Sequence, residues 1–271
     1  MTSVGLALLL AVGLCGSMTL AWAIATRTGQ SGWIDAIWSF AVGIFGVVAA
    51  LVPIASDEIS PRQWLVAALV AVWSIRLGGH IARRSMHGGD DPRYRKLKEE
   101  WGDRQRSRLF WFLQIQAAVG LVLAVALAIA ARRSGALDIG DWLGVVIFAA
   151  AIGGEAVADR QLARFRSDPA NRGEVCTAGL WGMTRHPNYF FEWLVWAAYV
   201  PIATGFSDID GLGLLVLSAP ALMYWLLVHV SGIPPLEEHM LASRGEAFAR
   251  YQASVNAFWP GPKRSILTSS R

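Results

Sequence analysis

The chain has 271 residues, of which 54% are hydrophobic and only 16% charged, with thirteen tryptophans and a net charge of +4. A soluble domain has about a quarter of its residues charged, so this composition argues for a membrane protein instead, and no nucleic-acid partner is expected. The two cysteines, Cys15 in an apolar run and Cys176 in a polar connector, exclude a disulfide framework; no Cys/His spacing suggests zinc or haem, and no metal is expected.

Seven stretches approach the roughly 20 apolar residues that a bilayer crossing needs: 3–25, 33–54, 63–82, 109–131, 142–158, 187–206 and 211–231. The first lacks a basic leader and is too long for a signal-peptide core, so it reads as a retained span. The fifth is the shortest. Lysine and arginine set the orientation. Residues 83–108 carry nine, 160–185 five and 233–271 five, whereas 55–62 and 132–141 carry three together and 207–210 none. A chain with its N-terminus outside and its C-terminus in the cytoplasm places every basic segment on the inner side. The expected fold is all-α: a polytopic integral membrane protein with seven transmembrane helices and a cytoplasmic C-terminal amphipathic helix. With no internal repeat or linker, residues 1–271 read as a single domain.

A charge at the centre of a span costs about 2.5–3.5 kcal/mol even on the mildest scale, so each such residue is a functional candidate. Asp35 lies in the second span, in GWIDAIWSF, with Trp38 one turn on. Unpaired, its carboxyl sits protonated and can donate to a substrate carbonyl; paired, it bridges to Arg76 of the third span. The two readings are compatible. Arg76 and His80 are four apart in WSIRLGGHIARR, where Gly78 and Gly79 permit close helix approach. The next connection opens on a Gly-Gly-Asp-Asp-Pro turn and then reads as a short charged helix over 93–101. Either its arginines meet anionic lipid headgroups, or Arg93 and Tyr94 reach back over a cytoplasm-facing pocket.

The fifth span continues into EAVADRQLARFR, residues 155–166, where Glu155, Asp159 and Arg166 share one helical face. They form ordinary helix-end pairs with Arg160 and Arg164, or the arginine takes a phosphate through its planar fork while the acids take ribose or adenine. LWGMTRHPNYFFEWLVW, residues 180–196, places a polar cluster at the mouth of an apolar helix. Pro187 suits the first helical turn, whose free N–H groups join Arg185 and His186 in an anion site. Asn188 and Glu192 then point along one face into the bundle, while Tyr189 and Trp193 suit the membrane–water boundary. After Pro234 and Pro235 the tail reads as an amphipathic helix with Leu236, Met240, Leu241, Phe248 and Tyr251 on its apolar side. That leaves Glu237 and Glu238 unexplained. His229 reads as structural.

No GxGxxG after a strand, no Walker loop and no Gly-x-Ser-x-Gly occurs, so helix ends and polar side chains between spans must hold any nucleotide. LWGMTRHPNYFFEW and the ending GIPPLEEHML…YQASVNAFWPGPKR resemble the membrane steroid 5α-reductase superfamily, in particular its bacterial branch. So do the Asp35 segment, RLGGHIARR…DDPRYRKLKEEWG and the Asp159–Arg166 helix, in the same order along nearly the whole chain.

The resemblance implies seven transmembrane helices, a bacterial inner membrane, and NADPH-dependent reduction of a carbon–carbon double bond conjugated to a ketone. Asp159 and Arg166 look like the family's cofactor-helix acid and arginine, and Asn188 and Glu192 like the pair near the nicotinamide. Asp35 falls where the family has a Gln-Glu pair that binds the 3-keto group; here one carboxyl stands in its place. The family's carbonyl-binding tyrosine on the third span is absent, with Arg76 or His80 nearby.

On this reading NADPH is expected among Arg93, Tyr94, Glu155, Asp159, Arg166, Arg185, His186, Asn188, Tyr189, Glu192 and Glu238. A hydrophobic substrate, a steroid or lipid enone, is expected at Asp35, Trp38 and His80. Asp35, aided by Arg76, would polarise the enone oxygen while hydride adds to the β-carbon. Membrane lipids are the other expected partner, and a monomer the expected state. Two further readings compete. A membrane methyltransferase of the isoprenylcysteine or phospholipid type shares the Arg-His-Pro-x-Tyr start and the Glu-Glu tail, but its S-adenosylmethionine has no phosphate for Arg166. A non-enzymatic lipid-binding protein would need Asp35, Asn188 and Glu192 for packing alone.

Overall fold

The computed structural model describes residues 1–54, 58–87, 92–205 and 211–264; the Gly-Gly-Asp-Asp segment at 88–91 and the loop at 207–210 lie outside them. Among the described residues every regular element is a helix. Six helical stretches among the described residues are long and apolar enough to cross a membrane: Ser3–Thr28, Trp33–Leu51, Pro61–Met86, Arg93–Ala131, Ile139–Ser167 and Gly211–Arg244. The chain gathers into two compact units, Met1–Val145 with Ala198–Ala219, and Val146–Ala197 with Pro220–Arg271.

In the first unit, α1 (Ser3–Thr28) starts where the Thr2 hydroxyl accepts from the Gly5 amide and stops at Gly29, left-handed at φ 75°. Leu6, Leu10, Leu14, Met18, Ala21 and Ala25 form its buried stripe, while Val4, Leu8, Val12 and Leu20 are exposed. An exposed face as apolar as the buried one is matched to lipid rather than water. α2 (Trp33–Leu51) lies against α3 (Pro61–His87); α4 (Pro92–Trp101) and α5 (Gln105–Ala131) follow, and α1, α2 and α5 pack on one another. Small residues bring α2 to α3. A Cβ on Gly43 would lie 2.0 Å from Ser74 Oγ, and that hydroxyl donates to the Ser39 carbonyl at 3.0 Å.

α3 begins two residues before the expected apolar run because Ser60 and Gln63 form a capping box around Pro61. The Ser60 amide donates to Gln63 Oε1 at 2.9 Å and the Gln63 amide to Ser60 Oγ at 3.3 Å. α6 (Ile139–Ser167) is likewise longer than its apolar run: Asp138 accepts from the Gly140 amide at 2.9 Å, and the helix continues for 29 residues. The fifth stretch, the shortest, is therefore part of one continuous helix.

Arg62, in the first turn of α3, and Arg132 and Arg133, just after α5, are all turned inward. Arg62 makes two 2.8 Å bonds to Asp141 and reaches the carbonyls of Arg133, Ser134, Gly135 and Ala136. Arg132 donates to the carbonyls of Ala49, Val52 and Ala128. Arg133 bonds Asp138, Asp141 and the Ile202 carbonyl. The Arg133 hydrogen bonds hold the Asp138 carboxyl well below the usual carboxylate range.

The expected span at 187–206 is a pair of helices, α7 (Pro187–Ala197) and α8 (Tyr199–Thr204). Pro201 has no N–H, and its ring crowds the carbonyl four residues back, on Ala197, where α7 ends. α9 (Gly211–Leu214) and α10 (Ser218–Trp225) follow, with a π turn over Leu226–Val230.

In the second unit the expected single C-terminal amphipathic helix is divided into α11 (Ile233–Arg244) and α12 (Glu246–Ser254). Gly245 between them takes φ 53° and ψ −127°, a conformation that glycine adopts without a Cβ clash. Phe248, Tyr251 and Val255 pack with Val175 and Met240, whereas Leu241 is exposed. The tail after α12 returns to the start of α7. The Arg185 amide donates to the Asn256 carbonyl at 2.8 Å, and the Gly261 amide to that of Met183 at 3.0 Å. Rings of Phe190, Trp193, Tyr224, Phe258 and Trp259 close the same region.

Candidate functional site

In the first unit, Asp35 stands in the first turn of α2, half-buried. Arg93 Nη2 lies 2.5 Å from its Oδ2, and the Tyr94 hydroxyl donates to its Oδ1 at 2.7 Å. Gln116 Nε2 of α5 donates in turn to the Tyr94 oxygen at 3.1 Å. A guanidinium and a phenol thus both donate to the Asp35 carboxyl. The ion-pair partner seen is Arg93 of α4. Tyr94 is buried and packs edge-on to Phe112. The Trp38 indole donates to the Gln116 carbonyl at 2.9 Å, so α2, α4 and α5 are tied at one place. Gln116 Oε1 is buried with no hydrogen-bond partner among the described residues. On α3, Arg76 is half-buried and His80 exposed.

In the second unit, α6 carries Glu155 buried, Asp159 half-buried one turn on, and Arg166 exposed near the helix end. On α7, Glu192 is buried and accepts from the Trp196 indole at 3.1 Å. Asn188, one turn earlier, is half-buried, and its side chain makes no hydrogen bond with the described residues.

Before Pro187 the geometry centres on Glu237. Arg185 gives Nε to Oε1 at 2.7 Å and Nη2 to Oε2 at 3.2 Å, and its Nη1 goes to the carbonyls of Gln252 and Val255. His186 Nε2 lies 2.8 Å from Glu237 Oε1, and Gln252 Nε2 donates to Oε2 at 2.6 Å. The Tyr189 ring stacks on that of His186 at 5.4 Å and 12°. Burial lowers the His186 pKa, and Glu237 opposes it. Burial also pushes up the phenol of Tyr251, which donates to the Trp181 carbonyl. Glu238, the expected ligand, is exposed at the neighbouring position.

Thus Asp35, Arg93 and Tyr94 come together, as do Arg185, His186 and Tyr189. Three polar residues at these clusters were missed. Gln116 was findable as an amide inside an apolar span, where a polar side chain needs a partner. Glu237 was visible only as half of a Glu-Glu pair, and Gln252 as a polar position on a surface helix.

A family sequence model described as Protein of unknown function (DUF1295) matches residues 21–255, a range that contains both clusters. The chain is 24% identical over 267 residues to an uncharacterized protein of Schizosaccharomyces pombe, covering 88% of this chain and 75% of that one. No solved structure matches the chain.

Proposed function

The chain belongs to the family described as proteins of unknown function (DUF1295); we propose that it is a membrane-bound, NADPH-dependent reductase acting on the double bond of an α,β-unsaturated ketone. The observation that supports this most is the Asp35 cluster. An ion pair in an apolar unit is weak evidence for stability alone, yet here it aims a buried phenol. A substrate carbonyl displacing the Asp35 contact would receive the Tyr94 O–H, held from behind by Gln116. Arg93 would balance the negative charge that develops on that oxygen as the double bond is reduced. The apolar helices suit a steroid or lipid enone.

In the second unit, Asn188, Glu192, Glu155 and Asp159, with Arg166 at the helix end, are the residues that would hold the cofactor. The unspent Asn188 amide fits a polar ligand group there. NADPH, when bound, supplies the hydride. Arg185 acts behind the site, keeping Glu237 charged. To this reading belongs a seven-crossing topology in a bacterial inner membrane, with the N-terminus outside and the lysine- and arginine-rich segments inside.

A second reading, an S-adenosylmethionine-dependent methyltransferase, is favoured by one observation. Arg185, expected at a phosphate, has its fork on Glu237 and on two carbonyls, and S-adenosylmethionine needs no phosphate ligand. Titrating the detergent-purified protein with NADPH, NADH and S-adenosylmethionine, followed by thermal unfolding, separates the two. A ligand bound only by the native state adds about 2.7 kcal/mol at a hundredfold excess over its Kd. Stabilisation by S-adenosylmethionine alone would replace the reductase reading.

A further inference from the structure

The two ring nitrogens of His186 have unlike surroundings. Nε2 lies 2.8 Å from Glu237 Oε1. Glu237 also accepts from Arg185 and from Gln252, so it is a carboxylate, and the proton between it and His186 belongs to Nε2. The ring is 3% exposed, and its burial favours the neutral imidazole. Nδ1 is then a bare lone pair, buried, with no donor among the described residues.

A buried acceptor left without a donor is costly, because its desolvation goes uncompensated. Turning the ring would not relieve it, because Glu237, fixed by Arg185 and Gln252, holds Nε2. The same arrangement is poor for an anion. Arg185 is spent, the imidazole is neutral, and a carboxylate stands against the ring. What the place offers is an acceptor beside two stacked flat rings, His186 and Tyr189, with Asn188 two residues on in the sequence.

We infer that His186 is a hydrogen-bond acceptor for the N–H of a flat heterocyclic ligand's carboxamide or exocyclic amine, and that Glu237 sets the tautomer that makes it one. The source of that group rests on the proposed nucleotide reading: nicotinamide and adenine both carry such an NH2.

The test is a long-range proton–nitrogen spectrum of protein labelled with 15N-histidine, in detergent, with His186→Gln assigning the resonance among the five histidines. Without ligand, Nε2 is expected protonated and Nδ1 bare. Reduced nicotinamide mononucleotide, adenosine monophosphate, NADPH and S-adenosylmethionine are then added separately. At least one should move Nδ1 upfield, the sense of an accepted hydrogen bond, and the first two identify its source. An Nδ1 that none of the four moves, or that carries a proton at the start, overturns the inference.

Variants give an independent reading. His186→Gln keeps a donor for Glu237 and removes the Nδ1 lone pair, so it should weaken the active probe about tenfold. His186→Asn keeps an acceptor near Nδ1 and should lose less. Equal affinity of His186→Gln and the parent overturns the inference; if that variant does not fold, the His186→Asn spectrum assigns the resonance and the parent's spectrum decides. Failure here is separable from failure of the reductase reading. NADPH that stabilises the protein without moving Nδ1 sinks only this inference, whereas adenosine monophosphate moving Nδ1 where NADPH fails to bind sinks only the other.

Discussion

Arg62 and Asp141, 79 positions apart, make two parallel hydrogen bonds of 2.8 Å with neither side chain more than 1% exposed. The pair joins the start of α3 to the start of α6, and Arg133 shares the same carboxylate at 2.9 Å. Breaking one side leaves a buried charge uncompensated. Arg62→Met or Asp141→Asn should therefore destabilise the protein by about 3–5 kcal/mol, read as a lower unfolding temperature in detergent. An unchanged transition would show that the pair contributes nothing to the first unit.

Tyr94 supplies the proton-bearing group at Asp35. Tyr94→Phe keeps the ring packing on Phe112 and deletes the O–H. Turnover of an enone should fall by about 10²-fold, the usual cost of one donor to a developing oxyanion, while stabilisation by NADPH stays as in the parent. Asp35→Asn should behave alike. Full turnover in either variant removes this cluster from the chemistry.

Asn188 and Glu192 are one turn apart on α7. Asn188→Ala should abolish stabilisation by NADPH without changing the unliganded unfolding temperature, because that amide bonds nothing among the described residues. Glu192→Ala should abolish it too, but with a lower starting stability, since Trp196 loses its acceptor. Retained NADPH stabilisation in both would take α7 out of the cofactor site.

Acid should loosen the second unit through His186. Its folded pKa is lowered by burial, while the unfolded imidazole titrates near 6.5, about the model-peptide value. The unfolded chain then binds more protons between those two values, so this contribution is complete above about pH 6.5 and is lost as pH falls through the folded pKa. The loss of thermal stability from pH 7.5 to 5.5 should be smaller in His186→Gln than in the parent. Identical slopes would mean that His186 titrates alike in both states.

Hydropathy made most of the helices legible, because a run of lipid-matched side chains such as 109–131 needs no tertiary knowledge. Helix ends were partly legible. Ser60-Pro-Arg-Gln63 is a capping signature in plain view, and it moves the start of α3 outward from the apolar run. Pro201 similarly foretells the stop at Ala197. The sites were harder. Asp35 stood out as a carboxyl in a span, but its partner is 58 positions away on a charged helix, and only the folded chain chooses Arg93. The choice of Glu237 over Glu238 is of the same kind: one helical step decides which carboxylate meets Arg185, and composition is identical for both.

The turn at 132–141 contains two arginines and two aspartates, so it travels as an electrically balanced packet. In the proposed orientation this is a segment that must be exported, and export of uncompensated cations opposes the membrane potential. By carrying Asp138 and Asp141 beside Arg132 and Arg133, the hairpin brings its own counterions. The salt links that brace the folded protein would, on this view, also be what lets its α5–α6 hairpin be threaded the right way round.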